Sequence, residues 1–416
     1  MLAPERRTRA DVIAAAAIVV VALVAAVTIW WTSDARGTTS VVADSPVGPP
    51  PSALSVPESV RELWRTDDAG RGTPIVVGGT VVTSDEHAVR GLDPATGDTR
   101  WSYTRDRVLC GVVGAWDAAV ATYRDDRGCG QVTELDGASG AREDQRTNDA
   151  DDPARLGFDG TYVTQMGASR LEVWRSDLVR TLEYGRVDAP LNPGSQPRSG
   201  CTLISSASAS SRVAVLERCP GETGLRLTTM NPAPKDATVP EVYGSTVLAD
   251  VSPDVDTARV LGVVGDRIAL YLPPSDTVVG RVALFDGSAT FLSATPFTEP
   301  VTTTWPDARS TDLVRTGSIL VWWTGSAAVG FDQSTLERRW VLPGALGAGA
   351  IMAGQLLVPV PEGLAVADTE SGTVSRTLPV ARADEAAPVT VAVLGTRVVE
   401  GRAGLDGAGG STVVLG

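Results

Sequence analysis

A short turn recurs along this chain. Leu92-Asp93-Pro94-Ala95-Thr96-Gly97-Asp98-Thr99-Arg100-Trp101 aligns with Phe331-Asp332-Gln333-Ser334-Thr335-Leu336-Glu337-Arg338-Arg339-Trp340, both reading apolar-Asp-x-x-Thr-x-x-x-Arg-Trp. Looser copies lie at Leu135-Asp136, Phe285-Asp286, Ala367-Asp368 and Leu405-Asp406, with Asp177 and Asn231 as degenerate members. The copies recur about every 45 residues, the length of one four-stranded sheet module. Aspartate accepts hydrogen bonds from backbone N–H groups two or three residues on, and glycine takes the left-handed conformation that lets a hairpin reverse. A tryptophan after the turn, as at Trp101 and Trp340, fits a wedge between neighbouring modules. These residues read as scaffold.

Between the turns lie short β-branched runs such as Ile75-Val76-Val77 and Thr80-Val81-Val82, and helical periodicity is unconvincing after Trp31. The pattern predicts an all-β fold, a β-propeller of seven or eight blades with eight preferred. The repeated turn resembles that of the pyrrolo-quinoline-quinone-like (PQQ-like) β-propeller repeat family, over roughly residues 58–416 and most closely in two units. That resemblance implies a disc of blades around a central channel, found in quinoprotein dehydrogenases and in cofactor-free scaffolds.

The segment Glu62-Leu63-Trp64-Arg65-Thr66 looks like the strand after such a turn, yet precedes the first full unit. Ring closure accounts for it: this strand completes the blade built by Val389–Leu394, Arg397–Glu400 and Thr412–Leu415, removing an open edge. Asp406 in an earlier turn of that unit is the alternative that leaves seven blades.

Residues Val12–Trp31 carry no charge, are preceded by Arg6, Arg7 and Arg9, and end on Trp30-Trp31. Twenty helical residues cover the roughly 30 Å of a bilayer core, and the arginines orient the N-terminus to the cytoplasm. The expected organisation is a cytoplasmic N-terminus (1–11), a transmembrane helix (12–31), a Pro/Ser-rich stalk (32–57) and an extracytoplasmic propeller (58–416). A signal peptide cleaved near Ser33, Ala35 or Gly37 is the competing reading. In an oxidising compartment the four cysteines pair as Cys110–Cys129 and Cys201–Cys219, separated by 19 and 18 residues. A zinc site would have only His87 to add.

No constellation for catalysis emerges, and no catalytic, cofactor or metal residue is assigned. The net charge of −14 argues against a nucleic-acid binder held by bulk positive charge. The resemblance to quinoprotein dehydrogenases would imply an adjacent Cys-Cys pair, which this sequence lacks. His87 falls in a turn without a Gly-x-Ser-x-Gly elbow, the acidic run Asn148–Asp152 reads as a solvated loop, and Trp322-Trp323 reads as packing, one ring to each face of a strand. Long inserts at Glu143–Pro153, Ala189–Gly200, Pro232–Val251 and Ser293–Thr311 are expected on one face, where an envelope protein or glycan would bind. The reading is a membrane-anchored, non-catalytic binding or assembly scaffold of the bacterial cell envelope. A divergent quinoprotein dehydrogenase or another propeller enzyme is the alternative.

Overall fold

A computed structural model describes all residues except 1–7, 34–35, 69–73, 189, 191, 256, 303–312 and 404–409. The apolar segment forms one helix, α1 (Arg9–Thr32), longer at its start than the uncharged run because Thr8 and Asp11 cap it reciprocally. The Asp11 N–H donates to the Thr8 hydroxyl, and the Thr8 N–H donates to the Asp11 carboxylate. None of its residues is buried against the rest of the chain, and its length and hydropathy suffice to cross a membrane.

The remainder is an eight-bladed β-propeller of antiparallel sheets in sequence order. Blade 1 starts at Ile75, blade 2 at Leu109, blade 3 at Arg155, blade 4 at Thr202, blade 5 at Arg259, blade 6 at Leu313, blade 7 at Ala350 and blade 8 at Val389. In blade 8 the outer strand is Glu62–Asp68, paired antiparallel to Gly410–Leu415 with Thr66 opposite Thr412, so the N-terminal strand closes the ring as expected. Asp406 lies outside the described residues, on the connection between the second and third strands of blade 8. It therefore does not belong to the series of third-to-fourth strand turns. Seven such turns and one chain closure, rather than eight turns, make the eight blades.

The apolar runs follow from the architecture. A middle strand is covered on both faces, so Thr80–Ser84, Arg170–Trp174, Ile319–Trp323 and Gly363–Ala367 are buried throughout, whereas the outer strand Phe291–Pro296 is exposed throughout. Among the described residues each of the eight junctions between neighbouring blades holds an apolar cluster, and a smaller one gathers Ala150 and Ala154 at Cys129. Trp322 enters the cluster between blades 5 and 6, and Trp323 the one between blades 6 and 7, as a period of two requires.

The repeat tryptophans bind consecutive blades together. Trp101 is fully buried, and its indole N–H donates to the Gly137 carbonyl in the third turn of blade 2 at 3.0 Å. Trp340 does the same to Thr369 of blade 7 at 2.9 Å, and Trp64 to Pro94 of blade 1 at 3.3 Å. Each ring lies on the left-handed turn glycine of the next blade: a Cβ would come within 2.9 Å of Trp64 at Gly97, 2.5 Å of Trp101 at Gly140 and 2.7 Å of Trp340 at Gly372. Gly91 and Gly330, opposite Trp101 and Trp340 on the third strand, leave room for the other side of the ring. Glycine is thus needed in these turns both for φ and for space.

The expected stalk is corrected. Thr38–Val41 pairs with Thr99–Arg105 as a fifth, outermost strand of blade 1. The chain then crosses the propeller as a strap. The Ala43 N–H donates to the Ser139 carbonyl of blade 2, Val47 and Gly48 press their carbonyls against Gly79 of blade 1, and Pro50 lies on Gly395 of blade 8. Val56 is buried between blades 7 and 8, where the Arg376 guanidinium donates to its carbonyl and to that of Pro57. Proline-rich composition signals an extended chain, but that chain is laid against the disc across the junction of blades 1 and 8. There the apolar cluster is small, with Val81, Leu394, Val399 and Val414 as its buried members.

Candidate functional site

The disc has two unlike faces. On one, the first-to-second and third-to-fourth strand turns emerge; on the other, the second-to-third turns and the connections between blades. The repeat aspartates shape the first of these. Asp93 accepts from the N–H groups of Ala95 and Thr96, Asp136 from Ser139, Asp286 from Ser288 and Thr290, Asp332 from Ser334 and Thr335, and Asp368 from Ser371. Arg100 and Arg339 pair with the outer oxygens of Asp93 and Asp332. Hydrogen bonds from Ser334, Arg339 and the turn backbone hold the Asp332 carboxyl far below the usual carboxylate range. These carboxylates serve the turns.

The inserts do not all share a face. Glu143–Thr147 belongs to the outer strand of blade 2 and Ser293–Pro296 to that of blade 5. Residues 232–241 form the third-to-fourth strand connection of blade 4 and leave from the turn face, because the Asn231 N–H donates to the Glu241 carbonyl and closes a wide hairpin. Residues 148–153 do lie between blades on the loop face, as do the described residues of 186–201 and 297–302, whereas 189, 191 and 303–311 fall outside the described residues.

The acidic run is fastened rather than solvated. Asp151 accepts from the N–H groups of Ser169 and Arg170 and from the Ser169 hydroxyl, Asp152 pairs with Arg124, and Asn148 is buried. His87 lies in the second-to-third turn of blade 1, with Nδ1 3.0 Å from the Arg107 carbonyl. Both disulfides form as read from the sequence, at the loop-face ends of blades 2 and 4. Each closes a loop worth about 3 kcal/mol in chain entropy.

The eight innermost strands, which wall the channel, contain no aspartate or glutamate; their charged residues are Arg155, Arg259 and Arg315. A dense cluster of charged side chains lies instead at the outer rim between blades 2 and 3. A cleft of about 290 Å³ there is lined by Arg127, Arg146, Arg170, Arg180, Glu183 and Asp149, with Thr147, Asn148, Val187 and Thr238. Behind it Glu172, fully buried, accepts from Arg146 at 3.0 Å, Arg170 at 2.5 Å, Asn148 at 2.9 Å and the Trp174 indole at 2.9 Å. Burial alone would raise its carboxyl; the charges of Arg146 and Arg170 and these hydrogen bonds outweigh that and hold it below its usual range. Burial in turn lowers Arg146, whose guanidinium stacks 5.1 Å from the Trp174 ring centroid. The base of the cleft is thereby rigid, and Arg180 and Arg127 are its more exposed cations, at 26% and 54%.

Sequence reading missed this cleft because its residues come from strands and turns of both blades. The available signal was Arg170-Leu171-Glu172-Val173-Trp174, where two charges alternate with apolar residues inside a buried strand.

At the same junction, on the face of blade 2 turned to blade 3, Glu134 is buried opposite Val120 with one carboxylate oxygen unpaired. Burial, with the nearby charges of Glu143, Asp144 and Asp177, pushes its carboxyl up to about 7 from an ordinary 4.5. The folded chain thus holds this proton more tightly than the unfolded chain, so its stabilisation is complete below the ordinary value and is lost as pH rises through about 7. Glu134→Gln is expected to melt higher than the parent at pH 8 and no higher at pH 5; thermal melts at both values check this.

No protein-family model matches the chain, and no curated protein matches it. Solved structures superpose weakly. A dihydro-heme d1 dehydrogenase, NirN, in complex with DHE is 13% identical at a TM-score of 0.48, covering 82% of this chain and 79% of that one. The N-terminal domain of Nup159 is 11% identical at 0.44, covering 89% and 99%. PorZ, a surface component of the type-IX secretion system of Porphyromonas gingivalis, is 14% identical at 0.42, covering 83% of this chain and 43% of that chain. Similarity at this level carries no functional argument, and the propeller is established by the strand pairing itself.

Proposed function

We propose that this chain is a membrane-tethered, extracytoplasmic binding or assembly scaffold of the bacterial cell envelope, a divergent member of the PQQ-like repeat propellers that works without catalysis. The disulfides suit an oxidising compartment. The α1 helix supplies a signal anchor with its arginine-flanked end in the cytoplasm. A channel wall without carboxylates supports binding over acid–base chemistry.

The observation that carries the reading is the short tether. α1 ends at Thr32, and the Gly37 carbonyl already accepts from the Asp106 N–H at the loop-face end of blade 1. Five residues of chain reach at most about 18 Å. With α1 in the bilayer, the loop face of blade 1 stands at the membrane surface and the Asp-turn face looks away from it. A partner on the loop face is therefore itself at the membrane.

The test places a photo-crosslinking amino acid in the full chain in cells, at exposed Glu86 on the loop face or exposed Ala95 on the turn face. Adducts to lipid or membrane protein are expected from Glu86 and not from Ala95. The reverse pattern, or a propeller shielded from protease added to spheroplasts, contradicts the proposal.

A further inference from the structure

We infer that the arginine-lined cleft between blades 2 and 3 is a binding site for a carboxylate group of a small acidic ligand. Four arginines face Glu183 and Asp149 in its wall, with Glu172 behind and Asp236, held by Thr238, near Arg180, in a chain whose net charge is −14. A guanidinium offers two parallel donors, the geometry a carboxylate accepts in bidentate fashion.

The cations are also set for it. Arg146 and Arg170 are spent on Glu172, Glu183 and backbone carbonyls, which fixes the floor of the cleft. Arg180 gives Nη1 to Glu172 and Glu183, and among the described residues its Nη2 has no hydrogen-bond partner, while the Arg127 side chain there has a loose pair with Asp149 at 3.7 Å. Thr147 and Thr238 add polar wall, and about 290 Å³ exceeds what one carboxylate fills, so the ligand brings an adjoining polar body with it. Burial of the floor lowers the local dielectric and strengthens pairing at the mouth. The site stands whichever partner occupies the loop face, and it lies outside the channel where propeller chemistry would be sought.

The test uses the full chain in detergent micelles, with the end-blocked dipeptide acetyl-Gly-Glu-amide and glucuronate as probes, acetyl-Gly-Gln-amide and glucose as their uncharged counterparts, and sulfate as a dianion. Melting temperature and calorimetric titration are the readouts. At least one carboxylate probe is expected to bind saturably and raise the melting temperature while its uncharged counterpart does nothing. Preference for the dipeptide assigns the ligand to acidic peptides, and preference for glucuronate to acidic glycans; either supports the site. Arg180→Gln is expected to weaken binding about tenfold, the loss of one charge-assisted pair. Because Arg180 also neutralises Glu183, Arg127→Gln at the exposed rim serves as the second variant, with a several-fold loss and an unchanged melt. No response to either carboxylate, sulfate bound more tightly than both, or unaltered affinity in Arg127→Gln overturns the inference.

Discussion

Trp101→Ala is expected to cost about 3–5 kcal/mol of stability, the range for removing a fully buried tryptophan. The ring fills the space between Gly91 of its own blade and Gly140 of the next, and no flexible side chain stands ready to collapse into it. The lost indole hydrogen bond adds little, because the Gly137 carbonyl still accepts from the Thr80 hydroxyl at 2.9 Å. Trp101→Phe, which keeps most of the volume and forfeits only the N–H, should therefore lose no more than about 1–2 kcal/mol. Urea unfolding of both variants checks the ranking. An alanine variant within 1 kcal/mol of the parent would mean that the wedge holds nothing together.

Much of this architecture was legible because it repeats. Asp93 and Asp332 sit in turns whose backbone N–H groups only an aspartate or its equivalent can cap, and Trp101 and Trp340 keep a fixed distance from them. Trp64 showed that the strand before the first unit belonged to the last blade. Matched cysteine spacing gave both disulfides. The linker departs from the free stalk its composition implies: Pro49-Pro50-Pro51 implies extension, but an extended chain with unpaired backbone groups can also join a sheet edge, as Thr38–Val41 does on blade 1.

The inserts were misplaced for a related reason. A strand at the outer edge of a blade is exposed and reads as polar loop, so the expected insert Glu143–Pro153 takes in most of the strand Arg142–Thr147. The arginine cleft lay beyond sequence reading altogether. Arg127, Arg146, Arg170 and Arg180 become neighbours only when blade 2 is stacked on blade 3, and nothing in their spacing encodes that register.

Ring closure is the claim on which the fold, the strap and the position of the tether all depend. Glu62–Asp68 hydrogen-bonds along Gly410–Leu415, and Leu63 and Trp64 pack at the small cluster joining blades 8 and 1. Removing the strand exposes a hydrophobic edge and the seam beside it, which promotes edge-to-edge association. The most direct measurement compares soluble chains starting at Gly37, at Glu58 and at the residue after Asp68, by circular dichroism, size exclusion and thermal melting. The chain from Gly37 should be a monomer rich in sheet with one cooperative melt. That from Glu58 should fold but melt lower, having lost the strap. The chain lacking Glu62–Asp68 should aggregate or show no cooperative transition; if it instead melts like the chain from Glu58, the N-terminal strand does not close the ring and the account is contradicted.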